Sequence, residues 1–131
     1  MTVPDARARA VPLIRLAMLG GAGLFGGVVG FLHSQGDVTA TPALAQPLTL
    51  AGRGVWGVAI AGCVFLWGRI RAERDPEKIL AQSIIGWALA ESTAIFGAAY
   101  WYLVGSSNWY FPGLGFLALA LLALPGVRRS R

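Results

Sequence analysis

Four stretches of the chain are almost wholly apolar, and charged residues gather in the short segments between and around them. The apolar stretches run over about 12–32, 50–70, 79–104 and 109–124. A helix needs about 20 mostly apolar residues to cross a bilayer, and the first three stretches reach that length. The fourth is shorter, and local thinning of the bilayer or its aromatic flanks would accommodate it. The pattern predicts one all-α integral membrane domain of four transmembrane helices over 1–131.

The composition agrees with a membrane protein. The 131 residues are 56% hydrophobic and 13% charged, with a mean hydropathy of +0.62, whereas soluble domains carry about 25% charged residues. The net charge of +5 does not indicate a nucleic-acid partner, because the basic residues form short clusters beside apolar stretches. One histidine (His33), one cysteine (Cys63) and one isolated membrane glutamate form no recognisable catalytic or metal-binding arrangement. We therefore expect no enzyme activity, no metal and no cofactor.

Basic residues predict the orientation. Ten of the eleven Lys and Arg residues lie in the N-terminal segment, in the loop between the second and third stretches, or in the C-terminal tail. The segments 33–49 and 105–108 contain none, which leaves only Arg53 on their side. Because cytoplasmic loops carry the excess of Lys and Arg, we expect both termini and the charged loop to be cytoplasmic. The expected location is the inner membrane of a bacterium.

The first apolar stretch has two interpretations. A basic start, an apolar core and the sequence Ala43-Leu-Ala45 also fit a secretory signal loosely. However, about a dozen residues separate the apolar core from that site, which is longer than is usual in a signal peptide. We therefore favour a retained helix.

Small residues recur at a spacing of four in the first three stretches. Because small side chains let helix backbones approach closely, these positions are predicted to pack against other membrane helices. They are Gly23, Gly26, Gly27 and Gly30 in the first stretch, Gly57, Ala61 and Gly62 in the second, and Gly86 and Ala90 in the third. The expected partners, besides the lipid bilayer, are other membrane helices, in a homo-oligomer or a larger complex.

A single carboxylate, Glu91, is the only charge between Ile79 and Val104. At about 1.5 Å per residue it lies about 18 Å into a hydrocarbon core of about 30 Å. A charge at that depth costs a few kcal/mol, so an intramembrane carboxylate is by default a functional-site hypothesis. If Arg74 and Asp75 form the tip of a hairpin, Glu91 is expected to face three small or apolar positions of the second stretch. These are Gly57, Val58 and Ala61.

The sequence leaves two states of Glu91 open. In a tightly packed apolar site, desolvation favours the neutral acid, which can carry a proton. Alternatively, Arg53 lies about 7 Å outward along the hairpin and is a possible ion-pair partner that would hold Glu91 ionised. Arg53 can instead extend toward the membrane surface, and we slightly favour this second orientation of its side chain.

The stretch Ala88-Leu-Ala-Glu-Ser-Thr-Ala-Ile-Phe-Gly97 resembles the carboxylate helix of ATP synthase subunit c, the rotor-ring proteolipid. Arg74-Asp-Pro-Glu77 is similar to the polar loop of that family, and the resemblance covers roughly residues 50–104. It implies a proton-carrying proteolipid in which Glu91 binds the ion and Ser92 helps to hold it.

A second hypothesis belongs to another functional class. The chain could serve as an accessory or scaffolding subunit of a larger membrane complex, with no transport role of its own. Glu91 would then pair with Arg53 or with a residue of a partner protein.

Overall fold

The computed structural model describes residues 3–36 and 40–126, with side chains described from residue 9 onward. The described residues form four α-helices and one short 3-10 helix. They are α1 (Val3–Ser34), the 3-10 helix (Pro42–Leu44), α2 (Ala45–Ala72), α3 (Pro76–Val104) and α4 (Tyr110–Ala123). The predicted all-α class is confirmed, and α1, α2 and α3 are long and apolar enough to cross a membrane. With 14 residues, α4 is about 21 Å long, shorter than a bilayer core of about 30 Å.

Two helices begin earlier than the apolar pattern predicts. Pro12 was expected at the start of the first helix, but α1 begins at Val3 and continues through Pro12. A proline removes only one backbone donor, which a membrane helix tolerates. In the same way α2 begins at Ala45 rather than near residue 50, because Pro47 falls in the first turn, where the backbone donors have no partner within the helix.

The loop between α2 and α3 is held by side-chain caps. The Glu73 carboxylate accepts hydrogen bonds from the backbone amides of Arg74 (3.0 Å) and Asp75 (3.1 Å). The Asp75 and Arg74 amides hold the pKa of Glu73 below its usual range, since they stabilise the ionised form. Asp75 in turn accepts from the Glu77 amide at 3.0 Å, and Pro76 opens α3. The loop therefore closes a hairpin of α2 and α3, as the sequence predicted.

The third helix is the centre of the bundle. It packs most extensively on α4, then on α2 and α1. The closest approach joins α3 and α4 at two glycines. A Cβ at Gly97 would lie 2.6 Å from the Trp109 carbonyl oxygen, and a Cβ at Gly113 would lie 2.6 Å from the Thr93 carbonyl oxygen. These helices therefore meet backbone to backbone.

Buried polar side chains connect the helices across this contact. The indole of Trp87 donates to the Ala120 carbonyl at 3.1 Å, and the Ser83 hydroxyl accepts from the Gly126 amide at 3.1 Å. The Tyr110 hydroxyl donates to the Ala22 carbonyl at 3.0 Å, which joins α4 to α1. Hydrogen bonds between helices stabilise packing where no water competes for the same groups.

Arg15 connects α1 to the end of α4. Its Nη2 donates to the carbonyl oxygens of Leu124 (3.2 Å) and Pro125 (3.0 Å), and its guanidinium lies 5.3 Å from the centre of the Trp87 ring. The contact places a cation at the carbonyl end of a helix, where partial negative charge accumulates.

The beginning of α1, the beginning of α3 and the end of α4 lie at one end of the bundle. The contacts of Arg15 with Pro125 and of Ser83 with Gly126 bring the beginnings of α1 and α3 to the end of α4. At the other end the Thr41 amide donates to the Leu103 carbonyl at 2.7 Å. The tail arginines at positions 128, 129 and 131 lie outside the described residues.

We expect Gly113→Ala to destabilise the bundle, because its Cβ would press on the Thr93 backbone. Overpacking of this kind costs about 1–3 kcal/mol. The matched control is Gly115→Ala in the same helix, since no atom lies within 4 Å of a Cβ there. The free energy of unfolding in mixed micelles with a rising fraction of a denaturing detergent measures both. Equal stability of the two variants would contradict the backbone contact.

Candidate functional site: an intramembrane carboxylate

Glu91 lies near the middle of α3. It follows Pro76 by fifteen residues and precedes Val104 by thirteen, which places it about 20 Å from either end of the helix. The residue is partly exposed on the bundle surface. Within the described ranges its carboxylate makes no hydrogen bond or ion pair. The side chain is therefore available to a proton or to a group outside this chain.

The face of α3 that carries Glu91 is not covered by another helix of the bundle. Three residues share the face of Glu91 at helical spacing. Ile84 precedes it by seven residues, Ala88 precedes it by three, and Ile95 follows it by four. Ile84 is 36% exposed and Ile95 is 45% exposed, and Ala88 is also exposed. We call these four residues the open stripe of α3. It presents one carboxylate on an otherwise apolar surface.

The adjoining face of α3 is packed inside the bundle. Ala90, Ala94 and Ala98 are fully buried. Although Ala94 and Ala98 follow Glu91 by three and seven residues, burial separates them from it, because α4 and α1 cover the helix on that side. Glu91 therefore lies at the border between the packed and the open faces.

Three contacts fix the level of Glu91 relative to α2. The Cys63 thiol donates to the Gly86 carbonyl at 3.3 Å, and a Cβ at Gly62 would lie 2.5 Å from Leu89. Further out, a Cβ at Gly52 would lie 2.7 Å from the Phe96 ring. Interpolation between these contacts places Glu91 level with Ala59. This residue lies next to Val58, in the middle of the range 57–61 that the sequence predicted to face Glu91.

The rotation of α2 differs from the expectation. Ala59 is 1% exposed and is the buried residue at this level, whereas Val58 is 64% exposed. Gly57 has no atom within 4 Å of a Cβ position, and Ala61 is exposed. Gly57, Val58 and Ala61 thus lie on the surface of α2 rather than packed against the carboxylate. The hairpin spacing predicted the level of α2 correctly, but spacing contains no information about the rotation of the helix.

Arg53 points away from any partner in the described part of the chain. Its side chain is exposed and lines a shallow depression with Ala45, Gln46, Thr49 and Leu50, all from its own helix. No ion pair between Arg53 and Glu91 is present among the described residues. Its position toward the start of α2 is that of a side chain reaching the membrane surface.

Ser92 lies beside Glu91 but on the side of α3 that faces α2. Its hydroxyl donates to the Leu89 carbonyl of its own helix. It also lines a groove of about 400 Å³ with Ala51, Gly54, Val55 and Val58 of α2. Ser92 therefore follows Glu91 directly in the helix, but its hydroxyl bonds to the backbone.

The predicted packing glycines divide into two groups. Gly26 lies against the Tyr110 ring, Gly30 against Trp101, Gly62 against Leu89, and Gly86 against Leu124. Gly23, Gly27 and Gly57 have no atom within 4 Å of a Cβ position. The second group lies on surfaces that other chains or lipids can approach.

Sequence reasoning missed three polar contributions. Thr93 is fully buried, and its hydroxyl lies 2.6 Å from the Ala90 carbonyl oxygen and 3.3 Å from that of Gly113. The Nε2 of His33 lies 2.8 Å from the Trp101 carbonyl oxygen, and its ring stacks on Trp101. Arg15 is the third. No sequence pattern identified these contacts, because each depends on which carbonyl the fold places nearby.

No cluster of three or more potential metal ligands occurs among the described residues. Comparisons with protein-family models, with curated proteins and with solved structures gave no match.

We expect the variants Glu91→Gln and Arg53→Gln to be energetically independent. In a double-mutant cycle their coupling should stay below about 0.5 kcal/mol, as for residues without a shared contact. Breaking a buried ion pair would instead cost about 3–5 kcal/mol in each single variant. Equilibrium unfolding in mixed micelles of the four proteins measures the coupling. A coupling energy well above about 1 kcal/mol would indicate that Arg53 and Glu91 form an ion pair.

Proposed function

We propose that the protein is a small polytopic membrane subunit in which Glu91 exchanges a proton, as its resemblance to ATP synthase subunit c implies. The observation that carries the proposal is the position of Glu91. It lies halfway along α3, on the open stripe, without a hydrogen bond or ion pair in the described part of the chain. A carboxyl group in such surroundings is stable as a neutral acid, because no water, cation or hydrogen-bond donor stabilises a carboxylate in hydrocarbon.

Proton exchange at this position requires a second protein surface. The neutral acid releases its proton only where water or a cation stabilises the carboxylate that remains. The described residues of this chain supply neither to Glu91. The proposal therefore includes assembly, either with copies of the chain or with another membrane subunit that carries a basic or hydrated path.

The alternative is an accessory subunit in which Glu91 binds a basic residue of a partner. The central position of α3 favours it, because α1, α2 and α4 all pack on this helix. The open stripe then remains as a surface of α3 for a partner helix. In this role Glu91 stays ionised and moves no proton.

The proposed topology has four spans with the basic end in the cytoplasm of a bacterium. Its support is the position of the beginnings of α1 and α3 beside the end of α4, together with the clusters of Lys and Arg in the sequence and the positive-inside rule. Although short, α4 packs along α3 over much of its length and carries apolar side chains throughout. Local thinning of the bilayer beside α4 accommodates the difference in length.

Labelling by a lipophilic carbodiimide distinguishes the two states of Glu91. The reagent takes the proton of a carboxylic acid on one nitrogen, and the carboxylate oxygen adds to its central carbon to give an O-acylisourea. The acyl group then migrates from that oxygen to a nitrogen, which gives a stable N-acylurea. In native membranes we expect the mass shift to map to Glu91 and to decline as pH rises, because only the protonated acid reacts. Glu91→Gln should abolish the shift, and Glu77→Gln is the control outside the membrane core.

The contrary outcome is equally specific. If labelling is negligible at every pH while Glu91→Gln dissociates a complex that Glu91→Asp retains, the accessory role is correct. A strictly monomeric protein whose Glu91→Gln variant leaves proton translocation unchanged would rule out the proton-carrying role.

Single cysteines test the orientation in a Cys63→Ser background. We expect Asn108→Cys to react with a membrane-impermeant maleimide in intact cells, because the turn after α3 lies at the end without basic clusters. Lys78→Cys should react only after the membrane is permeabilised. The reverse pattern would invert the proposed topology.

A further inference from the structure

A groove of about 380 Å³ runs between α1 and α4 near the basic end of the bundle. Its lining includes Leu16, Leu19, Ala118, Leu121 and Leu122, and Arg15 is the one charged residue among them. Leu16 and Leu122 are 69% and 79% exposed, so the groove opens sideways into the surroundings of the bundle. In a membrane protein this direction is toward lipid.

Arg15 brings a positive charge to the groove that no carboxylate neutralises within the described residues. Its only hydrogen bonds there go to two backbone carbonyl oxygens, of Leu124 and Pro125. These carbonyls satisfy one nitrogen but carry no full charge. A guanidinium whose acceptors are neutral carbonyls keeps its net positive charge, and such a charge beside an open apolar groove attracts an anion.

We propose that this groove binds one anionic phospholipid of the leaflet at the basic end. Its acyl chain lies along the leucines of α1 and α4, and its phosphate lies near Arg15. The lining requires an apolar occupant and the guanidinium requires an anion, and a phospholipid with net negative charge supplies both in one molecule. The inference depends on the membrane location of the bundle and is independent of the role of Glu91.

A second groove on the other side of α4 serves as an uncharged control. A groove of about 260 Å³ between α2 and α4 is lined by residues such as Cys63, Val64, Phe116, Leu119 and Ala123, and none of its lining residues is charged. An acyl chain fits there equally well, but no cation selects the headgroup. The proposal therefore requires headgroup preference in the first groove and none in the second.

The test uses bilayer nanodiscs of phosphatidylcholine containing a minor fraction of phosphatidylglycerol with the same acyl chains. Native mass spectrometry of the full-length protein counts the retained lipids. We expect phosphatidylglycerol to be enriched about fivefold over its share of the bilayer, the effect of one basic residue at a membrane surface. Phosphatidylglycerol with a photoreactive acyl chain should crosslink to peptides of α1 and α4 around the first groove.

Four variants separate the effect of the charge from the effect of the fold. Arg15→Gln keeps an amide donor for the α4 carbonyls but removes the charge, and Arg15→Lys keeps the charge. Ala118→Trp fills the first groove without changing Arg15, and Ala123→Trp fills the second as its matched control. We expect enrichment to vanish in Arg15→Gln and Ala118→Trp and to persist in the other two.

Three results would overturn the proposal. They are persistent enrichment in both Arg15→Gln and Ala118→Trp, equal crosslinking of the two grooves, and displacement of the lipid by millimolar inorganic phosphate, which would indicate a site for soluble anions. If Arg15→Gln fails to fold, the comparison of Ala118→Trp with Ala123→Trp decides.

Discussion

The contact on which the bundle depends is the backbone approach of α3 and α4 at Gly97 and Gly113. In lipid, apolar side chains gain little by leaving the solvent, so helices associate through close packing and hydrogen bonds. The glycines allow close packing. Thr93 and Trp87 contribute hydrogen bonds, since both side chains reach carbonyls of α4. Because α4 is fixed in this way, Arg15 finds the helix end that it caps.

This contact also determines what α3 leaves uncovered. The α4 helix occupies one side of α3 while α1 and α2 flank it, and the open stripe with Glu91 remains. Residues such as Ile84 and Ile95 can face lipid without cost, but a carboxylate cannot. The glycine contact between α3 and α4 therefore lies away from Glu91. The side chain of Glu91, which lipid tolerates worst, stays exposed.

The sequence predicted the helices and the hairpin level because both follow from one-dimensional patterns. Apolar length predicted four membrane helices, and three of the four observed helices are long and apolar enough to cross a membrane. The rotation of α2 was not predictable in this way, so Gly57 was placed against Glu91 although it lies on the surface. Glycine spacing is the same on a packed face and on an open one. The burial of Thr93 and the bonds of His33 depend on carbonyls brought near by tertiary packing.

Arg15 and Glu91 are two charged residues of opposite sign within helices that can span a membrane, and their different surroundings bear on the state of Glu91. Arg15 receives two carbonyl oxygens and an aromatic ring, so a cation can persist there without a carboxylate. Glu91 receives no donor among the described residues, although Ser92 is adjacent and gives its hydroxyl to Leu89. A permanently ionised glutamate would need such donors, because hydrogen bonds to the carboxylate are what stabilise it away from water. The described residues do not supply such donors to Glu91, and the open stripe leaves its carboxyl group accessible to a proton or to another molecule.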